Sequence, residues 1–155
     1  MGAIMAYAGF WRRFGAYIVD SIILTIVLGI VFFVLGLVGV PIVETAEYAA
    51  EGGEMSADFG LSPVAAIILF LVSVLYFPVL ECSSLQATPG KLALGIKVTD
   101  MQGNRIGFGR ALGRNLAKII SAIILNIGFI MAGFTQKKQA LHDMIAGCLV
   151  VAKSA

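Results

Sequence analysis

The fold is decided by residues 14–40, which read FGAYIVDSIILTIVLGIVFFVLGLVGV. Residues 21–40 alone supply about the 20 apolar residues that a helix needs to cross the hydrocarbon core of a bilayer. A cleaved signal peptide has a shorter apolar core, and no Ala-x-Ala cleavage site follows Val40. We therefore predict a transmembrane helix over residues 14–40 that stays in the mature protein.

The composition is that of a membrane protein. Of the 155 residues, 59% are hydrophobic and 13% are charged, whereas about a quarter of the residues in a soluble domain are charged. Residues 1–155 are therefore expected to form one membrane domain with no soluble module and no nucleic-acid partner.

Cysteine and histidine are too sparse for a typical metal site. Cys82 and Cys148 lie in no C-x-x-C or C-x-x-H arrangement, and His142 is the only histidine. We expect packed, reduced thiols, no metal and no cofactor. No nucleophile stands beside a plausible base in the sequence, so we do not expect an enzyme.

A second transmembrane helix is predicted over residues 63–80. Pro63 suits the first turn of a helix, and residues 64–80 are largely apolar. Their 17 residues are at the short end of what spans a bilayer.

The two loops that follow these helices differ in charge. Residues 41–62 carry five acidic residues and no Lys or Arg, whereas residues 81–118 carry six of the eleven basic residues. Basic loops stay in the cytoplasm, so residues 81–118 and the N-terminus with Arg12 and Arg13 should lie inside, and residues 41–62 outside. The acidic loop should be exposed, with its glutamates on one face of a short helix. It is either a solvated face or a mouth that attracts cations.

Within the basic loop, the sequence predicts a small cytoplasmic β-hairpin. Residues 94–99 have the pattern of a strand, residues 101–104 of a turn, and residues 105–108 of a returning strand.

The third apolar segment, residues 119–134, has two interpretations. A spanning helix would place the C-terminal tail, residues 135–155 with Lys137, outside. A re-entrant or interface-lying helical pair that turns near Asn126 would keep the tail inside, as the charge rule favours. The expected fold is thus an all-α membrane protein: a transmembrane helical hairpin, a third segment that re-enters or spans, and the cytoplasmic β-hairpin.

Two aspartates border or interrupt these apolar segments. A charge inside a membrane helix costs about 2.5–3.5 kcal/mol, so Asp20 needs a partner or a purpose. Arg13 lies two helical turns before it, about 10 Å along the axis. If the third segment is re-entrant, Asp143 lies at the same edge, and Arg13 is flanked by two carboxylates. The cluster is either an architectural ion-pair network or a site at which an aspartate takes up a proton or small cation.

Three basic residues recur every four positions before the third segment. Arg110, Arg114 and Lys118 are typical of an amphipathic helix whose cations meet lipid headgroups. Lys91 is expected at the same level, after a tight turn at Gly90. The implied partner is a bilayer with anionic headgroups.

Several separated motifs occur in an order that resembles the RDD family of small bacterial membrane proteins. They are GFWRRFGAYIVD at 9–20, ATPGK at 87–91, LGIKV at 94–98, RALGRN at 110–115, LHD at 141–143 and AG at 146–147.

The family is named for one arginine and two aspartates, which the resemblance places at Arg13, Asp20 and Asp143. Cys148 stands where the family usually has threonine. The resemblance implies a multi-pass protein of the bacterial cytoplasmic membrane. For the family, transport of unknown ligands has been suggested, and sodium–proton exchange is attributed to some members.

Two functions are therefore expected. The first is a small cation or proton-coupled transporter, for instance a sodium–proton exchanger. Asp20 would be its protonation site, Arg13 the tuning partner and Asp143 a relay. It would be a homo-oligomer, because two spans and a partial segment are few to enclose a pathway. The alternative is a non-transporting accessory or scaffold protein that binds anionic lipid or a partner subunit.

Overall fold

The computed structural model describes residues 6–49, 55–123 and 127–153. The chain divides into two compact units, the first formed by Met1–Ile23 and Val74–Ala155 and the second by Leu24–Ser73. The charged residues that the sequence singles out as site residues all lie in the first unit.

Two helices of the described residues are long and apolar enough to cross a membrane, α1 (Phe10–Leu37) and α2 (Pro63–Glu81). Only 11% of the most apolar window of each helix is buried, so their apolar side chains mostly face outward. Water disfavours such a surface and lipid does not. Both predicted helices are present, with changed bounds.

The bounds of α1 matter for the charges. The helix begins four residues before the predicted start, so Arg13 belongs to it together with Asp20. It ends where Gly39 adopts a φ of 75°. This left-handed conformation lets the amides of Gly39 and Val40 bond back to the carbonyls of Gly36 and Leu35.

In the second unit, the described residues of the predicted acidic loop form two paired strands and not a short helix. Strand β1 (Val43–Ala49) runs antiparallel to β2 (Met55–Leu61). The prediction of a short helix was wrong, because a three- and four-residue spacing of glutamates does not outweigh the β-forming Val43, Thr45 and Tyr48 when a partner strand is available. Glu51 and Glu54 lie outside the described residues.

In the first unit, the predicted local β-hairpin was half right. Strand β3 (Ile96–Asp100) forms as expected, but its antiparallel partner is β4 (Cys148–Ala152). The five residues of β4 are apolar, and four of them are buried. Pairing with β4 buries both strands in one core. This stabilises the chain more than a local hairpin with residues 105–108 as the second strand would.

A turn does follow β3, as predicted. The Asp100 carboxylate accepts hydrogen bonds from the amides of Gln102 and Asn104, at 2.9 and 2.8 Å, and Gly103 has a φ of 90°. The chain then enters a helix, because the amide of Ala111 already bonds to the carbonyl of Gly107.

Five short helical elements complete the first unit. They are α3 (Pro89–Ala93), α4 (Phe108–Ile123), α5 (Ile127–Ile130), a 3-10 turn (Met131–Gly133) and α6 (Leu141–Ile145).

The third apolar segment is divided among these elements. Its first residues end α4, and residues 127–133 form α5 and the 3-10 turn. The two parts touch, because a Cβ added at Gly128 would lie 2.8 Å from the Cβ of Ser121. The described residues thus do not confirm a third spanning helix, and their contact is the one expected of a helical pair. Asn126 lies outside the described residues.

Candidate functional site

Arg13 and Asp143 form an ion pair that joins α1 to α6. The Nη1 of Arg13 donates to the Oδ2 of Asp143. Its Nε donates to the carbonyl of Ala8 at 3.0 Å, and its Nη2 to the carbonyl of Lys138 at 2.6 Å. The structure therefore brings together two of the three predicted site residues.

Arg114 of α4 links this pair to a second carboxylate. Its Nε lies 2.7 Å from the Oδ1 of Asp143, and its Nη1 lies 2.7 Å from the Oε2 of Glu81, the last residue of α2. All three side chains are buried. One arginine thus holds two carboxylates from different helices in a fixed geometry.

Glu81 collects two further cations. The Nζ of Lys91 pairs with it, and the Nζ of Lys118 lies 3.9 Å from its Oε1. Asn115 donates to its Oε2 at 3.1 Å. We call the six residues that these ion pairs connect the charge cluster: Arg13, Glu81, Lys91, Arg114, Lys118 and Asp143.

Burial and charge act against each other in this cluster. Burial opposes the ionisation of Asp143, but Arg114 and Arg13 outweigh it and hold the pKa of this carboxyl well below its usual range. Burial also lowers the pKa of Arg114, but Glu81 and Asp143 raise it above its usual value. These groups therefore stay ionised across the physiological range.

The buried charges of Lys91 and Lys118 are stabilised less well by nearby carboxylates. Burial lowers the pKa of Lys91 despite the attraction of Glu81. Burial likewise lowers the pKa of Lys118, to about 7. Glu81 opposes this shift by attraction, and Lys91 adds to it by repulsion. The Lys118 ammonium is therefore close to losing its proton at neutral pH.

Asp20 lies outside the charge cluster. It is 1% exposed, and its carboxylate accepts hydrogen bonds from the Thr88 hydroxyl, from the Gly90 amide at 2.8 Å and from the Tyr76 hydroxyl at 3.5 Å. Among the described residues, no cation lies within ion-pair distance of it. The prediction that two carboxylates flank Arg13 was therefore wrong. Arg13 pairs with Asp143 and not with Asp20.

Gly90 sets how closely α3 approaches α1. A Cβ at this position would lie 2.8 Å from the Cγ of Asp20 and would overlap the carbonyl oxygen of Ala16. Gly90 lies in the first turn of α3, where a backbone amide has no acceptor within the helix, so its amide can donate to Asp20. Thr88 and Gly90 thus form a cradle of neutral donors for the carboxylate.

A cavity of about 710 Å³ lies beside both the cluster and Asp20. Its polar lining consists of Arg13, Asp20, Lys91, Arg114, Lys118 and His142. Its aromatic lining consists of Phe10, Phe14, Tyr17, Phe77 and Phe129.

His142 is a neutral member of this lining. Its Nδ1 lies 3.3 Å from the Ser121 hydroxyl, and its ring centroid lies 5.0 Å from that of Phe129. Burial lowers the pKa of His142 to about 3, although Asp143 opposes the shift. Among the described residues, no three His, Cys, Asp or Glu side chains are grouped so as to hold a metal ion.

The basic residues predicted at lipid headgroups divide into two kinds. Arg110 is exposed, whereas Lys91 and Arg114 are buried in ion pairs and Lys118 is partly buried. Spacing of four residues along a helix predicts a shared face, but not whether that face meets lipid or carboxylates. Glu81, a carboxylate at the end of an apolar helix, indicated that this face meets carboxylates, and the prediction did not take it into account.

Thr88 and Gly90 were also missed as partners of Asp20. Both occur in the ATPGK motif, but a hydroxyl and an amide carry no charge that a sequence pattern could match to a carboxylate 68 or 70 residues away.

Comparison with known proteins identifies the family. The family model described as "RDD family" matches residues 7–147. The chain is 41% identical over 148 residues to "Uncharacterized protein YxaI" of Bacillus subtilis, covering 94% of this chain and 97% of that protein. It is 27% identical to "Uncharacterized membrane protein YteJ" of the same organism, covering 94% of this chain and 81% of that protein.

A third relative is the "Proline-rich antigen" of Mycobacterium leprae, 27% identical over 90% of this chain and 59% of that protein. No solved structure matches significantly. The family model covers nearly the whole chain and includes Arg13, Asp20 and Asp143. With two apolar helices of spanning length, the chain is a membrane protein that belongs to the RDD family.

Proposed function

We propose that the protein is a proton-coupled transporter in which Asp20 takes up and releases the proton. The observation that carries this proposal is the environment of Asp20: a buried carboxylate of a membrane helix, held by three neutral donors. A buried carboxyl favours its neutral form unless a cation stabilises the charge. Hydrogen bonds from Thr88, Gly90 and Tyr76 stabilise the ionised form in the cation's place. A buried carboxylate with only neutral partners is the arrangement that we expect of a proton carrier.

The charge cluster has a different role in this proposal. Arg13, Arg114 and Asp143 are mutually paired, and the low pKa of Asp143 keeps it ionised. Asp143 then does not relay protons. It fixes α1, α4 and α6 around the cavity, and the proton step falls on Asp20 alone.

We further propose a place and orientation in the cell. The protein would be a multi-pass protein of the bacterial cytoplasmic membrane, with its N-terminus and basic segments inside and the β1–β2 hairpin outside. Residues 119–134 would re-enter and not span. Several copies would assemble, because two spanning helices are few to enclose a pathway.

The test is proton flux in liposomes that contain the purified chain, driven by sodium, potassium or a pH gradient. Asp20→Asn removes the charge at nearly constant size and should abolish flux while the protein remains folded. Asp100→Asn makes the same change in the turn after β3, outside the cavity, and serves as the matched control. Both variants should be compared at equal incorporation and equal thermal stability.

A folded Asp20→Asn protein that moves protons as fast as the unmodified chain would refute Asp20 as the carrier. If the unmodified chain moves no protons under any of the three gradients, the proposal of transport fails.

The second candidate is an accessory or scaffold protein that does not transport. It is favoured by the pairing of the cluster, since every buried polar side-chain atom of the described residues has a hydrogen-bond partner. In this case Asp20→Asn would lower thermal stability, and no flux would be lost because none would exist.

A further inference from the structure

The cavity beside the charge cluster has a lining of two kinds of side chain. Some are cationic, among them Arg114 and Lys118 of α4; others are aromatic, among them Phe10, Phe14 and Phe129, and we call these the aromatic wall. Such a combination suits a molecule with a charged end and an apolar body. A small inorganic ion would leave the aromatic wall without a partner.

The charges around the cavity do not cancel. Four cations, Arg13, Lys91, Arg114 and Lys118, face three carboxylates, Glu81, Asp143 and Asp20. One positive charge therefore remains in excess when all seven groups are ionised, which for Lys118 requires a pH below about 7. Because an uncompensated buried charge is costly, an anion that enters the cavity gains the attraction of this excess.

Two cations of α4 line the part of the cavity where such an anion would bind. Arg114 uses its Nε and Nη1 for carboxylates. Lys118 donates from its Nζ to the Oδ1 of Asn115. It lies 3.9 Å from Glu81, and its side chain is 25% exposed. Its Nζ also lies 4.3 Å from the centre of the Phe77 ring. Because Lys118 lines the cavity, an anion there can take the place of its long contact with Glu81.

The cavity is open at its apolar side. Tyr17 and Ile119 line it and are 61% and 58% exposed. A large apolar side chain on the surface of a membrane protein meets lipid or the interface. A molecule with a hydrocarbon part can therefore enter along this side without crossing the ion pairs.

We propose that the cavity binds an amphiphilic anion, with its carboxylate, phosphate or sulfate head at Arg114 and Lys118 and its hydrocarbon part along the aromatic wall. The anion comes either from a membrane lipid or from a free amphiphile such as a fatty acid. This binding does not depend on proton transport by Asp20 and can be measured at equilibrium without a gradient.

The test uses the full chain in micelles of an uncharged detergent, with decyl sulfate as the probe and calorimetric titration of empty micelles as the baseline. Decyl sulfate is ionised at every pH used. Decanol has the same chain and no charge, so it should bind at least about tenfold more weakly, the loss expected for one charge-assisted contact.

Variants of α4 identify the head-group site. Lys118→Met should weaken decyl sulfate binding about tenfold, whereas Lys118→Arg keeps the charge and should retain most of the affinity. Arg110→Met removes an exposed cation of the same helix and should leave the affinity unchanged. Retained affinity in Lys118→Arg would tie the loss to the charge, and equal thermal stability of Lys118→Met and the unmodified chain would show that the loss is not a folding defect.

Competition distinguishes the two sources of the anion. Displacement of decyl sulfate by phosphatidylglycerol would indicate a membrane lipid, and displacement by decanoate alone would indicate a free amphiphile. The proposal is overturned if neither displaces the probe, if decanol binds as tightly as decyl sulfate, or if Lys118→Met binds like the unmodified chain.

Discussion

At the scale of single residues, Gly90 determines how closely α3 approaches Asp20. The Gly90 amide donates to the carboxylate at 2.8 Å, and its missing side chain lets α3 lie against the backbone of α1. The same residue thus supplies a donor and the space for it. Any side chain at this position must push α3 away from Asp20.

Gly90→Ala should therefore lower the free energy of unfolding by about 1–3 kcal/mol, the usual cost of overpacking. Chemical denaturation in detergent would measure the change. Gly113→Ala is the control, because a Cβ at this exposed position of α4 meets nothing within 4 Å. It should stabilise the helix by up to about 1 kcal/mol. Equal stability changes in both variants would contradict the close approach.

His142 should make stability depend on pH. Its folded pKa of about 3 lies below the unfolded value near 6.5. As the pH falls below 6.5, the unfolded chain binds a proton that the folded chain does not bind. The free energy of unfolding should therefore fall by up to about 1.4 kcal/mol per pH unit. Denaturation between pH 7 and pH 4.5 would show this slope.

His142→Gln cannot bind the proton and should remove that part of the slope. Carboxylates contribute equally to both proteins at the lower end of this range, so the difference between the two curves isolates His142. Parallel curves for the two proteins would refute a neutral, buried histidine.

At the scale of elements, α4 shows which properties of a helix a sequence pattern can predict. Ala111, Arg114, Ala117 and Ser121 are buried at spacings of three and four, so an amphipathic helix was predictable. The sequence did not predict which face of α4 would be buried. Arg114 lies on the buried face because other helices supply carboxylates for it. The partner of β3 was missed for the same reason, since β4 follows it by about fifty residues and only the assembled core selects it.

The prediction of the two helices of spanning length, α1 and α2, needed no such information. Length and apolar composition predict them, because lipid imposes the same requirement on every residue of a span.

The packing of α5 against α4 gives a prediction at this scale. Gly128→Ala would place a Cβ 2.8 Å from that of Ser121 and should lower the free energy of unfolding by about 1–3 kcal/mol. Ser121→Gly in the same chain should recover part of this loss. A double-mutant cycle with a coupling energy near zero would show that the two helices do not touch.

At the scale of the whole molecule, the charges are sorted along the chain. All eleven basic residues belong to the first unit, whereas the second unit carries five acidic residues and no basic one. The positive-inside rule gives such a chain one strongly preferred orientation.

Labelling of introduced cysteines would test the proposed orientation in a background without Cys82 and Cys148. Arg12→Cys, Arg105→Cys and Lys137→Cys should react with a membrane-impermeant reagent only from the cytoplasmic side. Thr45→Cys in β1 should react from outside. Labelling of Lys137→Cys from outside would instead mean that residues 119–134 span the membrane.

The pairing of Arg13 with Asp143 joins residues 130 positions apart. At the usual speed of a ribosome, Asp143 is made roughly 6–26 seconds after Arg13. The rest of α1 and the whole of α2 are made during this interval, before Arg13 can pair with Asp143. Its long side chain can reach the phosphates of the lipid surface until then. When the ion pair forms, the Arg13 side chain changes its partner from lipid phosphates to Asp143.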